Sequence, residues 1–564
     1  MRTCPALLLR FLLLCLPMAS AIATPPPSKA EVARYAQDFL DHGIAAQGPG
    51  AAVLIARGDE VLYRGARGEA SLELGVPLSP AQVFRIGSIS KQFAAAGLLK
   101  LVERGKLSLD DPLAKFVPDY PNGGNITVRM LLNHTSGIKS IFEVEDDHMQ
   151  WFIDQTMSTT QLIDSFRNDK PDFAPGSDWH YNNSGYVLIG AIIESVTGMP
   201  WHVYLKQTLF DPLGMAHTGL GDEAVTVISG HVTGYGWRDG HWATARHVSM
   251  TQPHAAGALV STVDDLLRWN RALHEGKVLK PGSYRQMITP TGAAAKDHYG
   301  FGLVHETWRG TDMLQHGGDI YGFSGFLVYL PREQLTVAVL YNTDFDDSDA
   351  ASGSLDVEMI ARTLAAQAIG KPYPEKEAIL LDAATLKEYE GVYRMDKDSV
   401  RVLRVVDGKL VSQRTASPAY ALLPIAKDTF LFEKQLSRMV FQRDASGKVV
   451  AMRFFANDEG KGDVVARTEE PLPVEHIAMA LPKAALQRVL GRYAGEGTEL
   501  AVMLDGDALK AQMTGQPAVA LFAESPTRFF LKVVDATLDF APGDVPETAT
   551  LRQDGDVVEF KRKP

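Results

Sequence analysis

Phe84-Arg85-Ile86-Gly87-Ser88-Ile89-Ser90-Lys91 is the stretch on which the reading of this chain turns, and a helix-forming run, Gln92 to Glu103, follows it directly. Three residues apart at a helix start, Ser88 and Lys91 share one face, about one turn apart. A serine hydroxyl is a weak nucleophile and needs an adjacent base. A lysine among apolar neighbours sheds its proton more easily than one in water and can serve as that base. A helix N-terminus also favours the alkoxide that forms as the proton leaves. Alone, the four-residue pattern reads better as a serine helix cap, Ser88 or Ser90, beside a solvated lysine. Motifs further down the chain reverse that balance.

Tyr181-Asn182-Asn183 follows the turn Pro175-Gly176 and opens the apolar run Tyr186 to Val196. A phenol beside an ammonium group can shuttle a proton, since positive charge favours phenolate. The Asn183 amide can hold a substrate carbonyl. His316-Gly317-Gly318 stands just before an apolar hairpin, where a sheet edge is expected. Gly317 and Gly318 let a substrate backbone approach closely, as an added strand would. The next N–H, from Asp319, can pair with that of Ser88 as an oxyanion hole. His316 can bind a polar substrate group or assist proton transfer. The strings Leu131 to Gly137 and Tyr299 to Leu303 carry no direct chemistry and are expected to shape loops around the cleft.

Ser88-x-x-Lys91, Tyr181-x-Asn183 and His316-x-Gly318, in that order, resemble the penicillin-recognising serine hydrolases. That family includes class C β-lactamases, D-alanyl-D-alanine carboxypeptidases, esterases and D-aminopeptidases. Tyrosine stands where the class A pattern has its second serine, as in class C, and His-Gly-Gly replaces Lys-Thr-Gly. Leu131 to Gly137, Ala255 to Thr262 and Tyr299 to Leu303 also look like family text, and the likeness covers about residues 30–370. Asp319 departs from the small or uncharged residue usual there. The resemblance implies an α/β catalytic domain of β-lactamase type, an antiparallel sheet with helices on both faces.

The formal charge of −12 argues against nucleic acid as a partner. Residues 1–23 read as a secretory signal: Arg2 and Arg10, an apolar core from Phe11 to Leu16, and Ala21-Ile22-Ala23 for cleavage. The expected location is periplasmic or secreted. The two cysteines, Cys4 and Cys15, would leave with the signal, so the mature chain has no disulfide. No later segment is long and apolar enough to span a membrane.

Ala30 to His42 reads as an amphipathic helix, and Gly50 to Ala56 with Val61 to Gly65 as two strands. Far downstream, Phe326 to Leu330 and Leu335 to Asn342 form an apolar hairpin, and Leu355 to Ile369 a last helix. One sheet shared by both ends of a catalytic domain, 28–370, is therefore expected. Residues 371–380 form a linker by composition. Beyond it the text alternates and repeats: Gly391-Val392-Tyr393 recurs as Gly491-Arg492-Tyr493, and Thr429 to Glu433 as Arg528 to Lys532. Two all-β barrel-like domains, 381–480 and 481–564, are expected.

The three-part layout is similar to that of D-aminopeptidases. There a loop of the last domain reaches the catalytic cleft, and the resemblance implies Asp539 to Glu547 as its counterpart. That reading rests on spacing: Glu433 to Phe441 is eight positions, and Lys532 to Leu551 nineteen. The expected activity is acyl-enzyme hydrolysis of amides at Ser88, with Lys91, Tyr181 and His316 catalytic. The expected substrates are small peptides, D-amino acid amides or cell-wall fragments. A carboxypeptidase, β-lactamase or esterase is the alternative within the family; an inactive cell-wall or peptide-binding protein is the alternative outside it. No cofactor or metal is implied, for there is no His-Glu-x-x-His string.

Overall fold

The computed structural model describes residues 25–563 apart from 143–148, 223–225, 239, 345–354, 374–376, 397–398, 416–418, 434, 474–477, 496–497, 506–507, 515–517, 532–535 and 554–555. The expected signal, 1–23, and the centre of the linker lie outside the described residues.

Strands β1 (Ala51–Arg57) and β2 (Glu60–Arg67) join β3 (Val304–Trp308), β4 (Thr311–Ile320), β5 (Phe323–Leu330) and β6 (Leu335–Tyr341) in one sheet. Its order is β3-β4-β5-β6-β1-β2, antiparallel throughout. The two ends of the domain meet where β1 pairs with β6, Val53 opposite Val339. Alternation along β1 explains why it is apolar at nearly every position: both faces are covered. Ala51, Val53 and Ile55 enter one core, Ala52, Leu54 and Ala56 the other.

The first core is closed by α1 (Lys29–Gly43) and α5 (Val357–Ala368). Ser28 and Glu31 form a capping box that fixes where α1 starts. The chain between β2 and β3 covers the other face. It includes α2 (Ser90–Glu103), α3 (Asn183–Thr197) and α4 (Val263–His274). Ten of the fifteen residues of α3 are buried, consistent with a helix apolar nearly all round.

Beyond residue 380, two closed eight-stranded barrels follow, spanning Gly391 to Arg467 and Gly491 to Arg562. Their repeated Gly-x-Tyr has a physical reason. Tyr393 Oη donates to Tyr389 O and Tyr493 Oη to Val489 O, each at 2.9 Å, closing a barrel end the same way. The first barrel rests on the catalytic domain: Asn457 Nδ2 donates to Glu358 Oε1 at 2.9 Å, and Arg309 pairs with Glu459 at 3.4 Å. Tyr373, at the head of the linker, is packed rather than free, with the Arg309 guanidinium 4.4 Å from its ring centre.

Asp539 to Glu547 is not an inserted cleft loop. Phe430 faces Met439 where Phe529 faces Leu538, so Phe441 corresponds to Phe540 and not to Leu551. Lys532 to Phe540 is then also eight positions. The stretch completes one strand, Ala536–Phe540, and turns into Thr548–Gln553. Its hydrogen bonds, from Arg488 to Gly543 O and from Arg562 to Pro546 O and Glu547 O, stay within the second barrel.

Candidate active site

A short 3-10 turn, Gly87–Ile89, leads into α2. Neither serine caps the helix: the N-cap is Ile89, without a side-chain bond, and Ser90 Oγ accepts from Leu259 N–H at 3.2 Å. Ser88 is left facing the cleft. Lys91, one turn on, is fully buried. Its Nζ lies 2.9 Å from Ser88 Oγ, 2.8 Å from Asn183 Oδ1 and 3.0 Å from Ala256 O.

Burial drives the Lys91 pKa well below that of a free lysine. Its three hydrogen-bond partners are uncharged. A neutral amine satisfies them well: two N–H groups go to Asn183 Oδ1 and Ala256 O, and the lone pair accepts the Ser88 proton. The faces of Tyr181 and Tyr186, 4.6 and 5.6 Å from Nζ, shield it further and offset charge that develops there.

Tyr181 is hydrogen-bonded with the Ser88 side chain. The expected pull of a neighbouring cation toward phenolate is opposed here by burial. Desolvation raises its pKa, Asp319 raises it further, and the neighbouring lysine is itself pushed toward neutrality. Burial thus favours the phenol and the neutral amine over the charged pair.

Asn183 opens α3, while its neighbour Asn182 is the cap, accepting from Gly185 N–H. Asn183 therefore gives its oxygen to Lys91 rather than to a helix end, and its NH2 remains for a substrate carbonyl.

The pairing of β4 with β3 ends at Gln315, so His316 to Ile320 form an open edge. This edge lies against the Ser88 turn. A Cβ on Gly318 would stand 2.1 Å from Ile86 O and 3.0 Å from Ser88 N, and one on Gly87, at φ +47°, would stand 2.7 Å from Asp319 N. Only glycines allow that approach, which gathers the N–H groups of Ser88 and Asp319 at one place. Gly317 faces the other way, toward Phe326. Asp319 as a residue is exposed at the sheet edge, while crowding around its carboxyl, then Asp356, Asp344 and Glu358, raises its pKa to about 7.

His316 makes two hydrogen bonds inside the protein. Nδ1–H donates to Gly317 O at 2.5 Å and Nε2 accepts from Tyr299 Oη at 2.9 Å, so both nitrogens are used within the protein. Burial pushes its pKa down to about 3, and the ring is neutral.

Two residues of the site were passed over as loop text. Tyr299 orients His316, and Gly302, at φ +74°, lets its string lie on the Lys91 backbone. His134 sits at φ +64°, its ring 4.6 Å from that of Tyr181 and 4.5 Å from that of Tyr299. Its Nδ1 accepts from Asn182 N–H at 3.2 Å. Both hold the second and third motifs together. Among the described residues no group of His, Cys, Asp and Glu is arranged to hold a metal.

The β-lactamase family profile matches residues 32–358. Penicillin-binding protein 4* of Bacillus subtilis is 26% identical over 445 residues, 74% of this chain and 94% of that protein. D-aminopeptidase of Gluconobacter oxydans is 30% identical over 342 residues, 58% of this chain and 61% of that one. Among solved structures, the octameric penicillin-binding protein homologue from Pyrococcus abyssi superposes with a TM-score of 0.55 at 26% identity, covering 77% of this chain and 99% of that one.

Proposed function

The chain belongs to the β-lactamase family, and from that premise we propose that it is an exported serine hydrolase cleaving amides of D-amino acids with a free amine. The observation that carries the hydrolase reading is the 2.9 Å contact between Ser88 Oγ and the fully buried Lys91 Nζ. Ser88 Oγ attacks the carbonyl carbon as its proton passes to Nζ. The oxyanion accepts from the N–H groups of Ser88 and Asp319. Tyr181 passes the proton from Nζ to the leaving amine nitrogen, whose bond to carbon breaks. A water molecule, deprotonated by the same pair, then releases the acid from Ser88.

The amine preference rests on charge. His316 is neutral, so the third motif offers no cation to a substrate carboxylate. Asp319, the neighbour of Gly318, brings a carboxyl that attracts an ammonium group. The relationship to a D-aminopeptidase fits this reading. Export rests on Arg2, Arg10 and the apolar run that follows them.

The test is a panel of D-alanine p-nitroanilide, its N-acetyl form, its L form, an N-acylated D-Ala-D-Ala peptide, nitrocefin and a short ester. The free D-amine is expected to be hydrolysed fastest. Equal turnover of the acetylated compound would replace this reading by a carboxypeptidase or esterase. Failure on every member would favour an idle binding protein.

A further inference from the structure

One end of the first barrel is built differently from the same end of the second. Arg401 points inward from the strand Val400–Val406 and is 7% exposed. Its Nη1 donates to the fully buried Ser412 Oγ at 2.8 Å. The guanidinium carbon lies 5.4 and 4.9 Å from the ring centres of Phe432 and Phe454. Among the described residues no carboxylate pairs with it, and its Nε is buried without an acceptor. Directly opposite in the ladder stands a second arginine, Arg414, also without an ion pair among the described residues. Like charges facing each other on adjacent strands are destabilising. A buried cation without a partner is costlier still, and aromatic stacking offsets only part of that cost. Burial and Arg414 together draw the Arg401 pKa down to about 10.

The second barrel shows that the fold does not require this arrangement. Tyr393 faces Arg401 where Tyr493 faces Leu500, and Leu403 faces Ser412 where Val502 faces Ala511. Leu422 faces Phe432 where Leu521 faces Leu531, and Met439 faces Phe454 where Leu538 faces Leu551. Leucine, alanine and two further leucines close the same end of the same barrel. The arginine, the serine and the two rings therefore answer a need other than closure.

We propose that this end of the first barrel binds a carboxylate that carries an apolar body. The carboxylate accepts from the Arg401 guanidinium, with Arg414 adding charge, and the body stacks on Phe432 and Phe454. Arginine suits this task because its planar fork matches a carboxylate. An eight-stranded barrel either fills with side chains or holds one small ligand; the middle of this one is filled, and access is from the end, where Arg414 is exposed. The same chemistry is offered by a free acid and by the C-terminus of a peptide.

Calorimetric titration of the full chain with 3-phenylpropionate tests the site, with 3-phenylpropanamide as the uncharged control. The acid is expected to bind at least tenfold more tightly than the amide, and Arg401→Leu to weaken the acid at least tenfold. Leu500 is the precedent for that variant's folding; if it fails to fold, Arg401→Gln takes its place. Glycyl-phenylalanine against its C-terminal amide separates the two sources, since tighter binding of the dipeptide than of the free acid identifies a peptide terminus. Absence of carboxylate binding at millimolar concentration would overturn the proposal. So would binding unchanged in Arg401→Leu, which would move the ligand to the catalytic cleft.

Discussion

Lys91 Nζ and Ser88 Oγ stand 2.9 Å apart, and among the described residues the lysine has no charged hydrogen-bond partner. Burial therefore sets its protonation state. The base must be neutral to act, so activity rises with pH through a pKa lying well below the ordinary value near 10.4. The acid limb of kcat/KM should come from this group. Lys91→Ala should lose roughly 10²- to 10⁴-fold in kcat. A kcat/KM profile that still climbs between pH 9 and 11 would show a lysine that is charged at rest.

Tyr181→Phe should also be severely impaired, and the double variant Lys91→Ala, Tyr181→Phe should lose little beyond the worse single one. Residues on one proton path act as a unit. Steady-state kinetics of the four proteins decides this, and additive losses would place Tyr181 in a separate step.

The Asp319 carboxyl, its pKa raised to about 7, gains its charge as pH rises through that range. KM for a substrate with a free ammonium group should accordingly fall as pH rises from 6 to 8. Opposite charges near 4 Å in water gain about 1 kcal/mol, roughly fivefold. Asp319→Asn should flatten the dependence while leaving the N-acetyl substrate unaffected. An identical KM profile in the variant would remove Asp319 from amine recognition.

Tyr299→Phe strips the hydroxyl that donates to His316 Nε2. A buried group left without its partner costs about 1–3 kcal/mol, so kcat/KM should drop about tenfold with the chain still folded. His316→Lys should be worse, since a lysine there is buried beside Lys91 without a counter-charge. A gain on carboxylate substrates in His316→Lys would contradict this.

Gly318→Ala should act through the backbone. Its methyl would meet Ile86 O at 2.1 Å and push β4 from the Ser88 turn. Overpacking of this kind costs about 1–3 kcal/mol. Thermal unfolding should record that loss, and activity should fall further because the two N–H donors separate.

What could be read in the sequence was what depends on near neighbours. Ser88 and Lys91 are three positions apart, and the apolar run after them foretold the burial that makes Lys91 a base. The Gly-x-Tyr repeat was visible because each tyrosine bonds a carbonyl four residues back. Contacts between distant strings were not visible. Tyr299 and His134 carry no chemistry until the fold brings them to His316 and Tyr181. The engagement of both His316 nitrogens depends on that same packing and has no signal in the sequence. The supposed insertion near Asp539 failed for a different reason: successive barrel strands alternate alike, so Leu551 was matched to a strand one place too early. Arg401 is unremarkable in the sequence, because only register shows that it points inward opposite Arg414.

The rate of p-nitroaniline release from D-alanine p-nitroanilide, by the unaltered chain and by Ser88→Ala, tests the role of Ser88 most directly. Hydrolysis by the first and a loss of about a millionfold in the second, with both equally folded, is the predicted result. Turnover by Ser88→Ala within tenfold of the unaltered chain would contradict it.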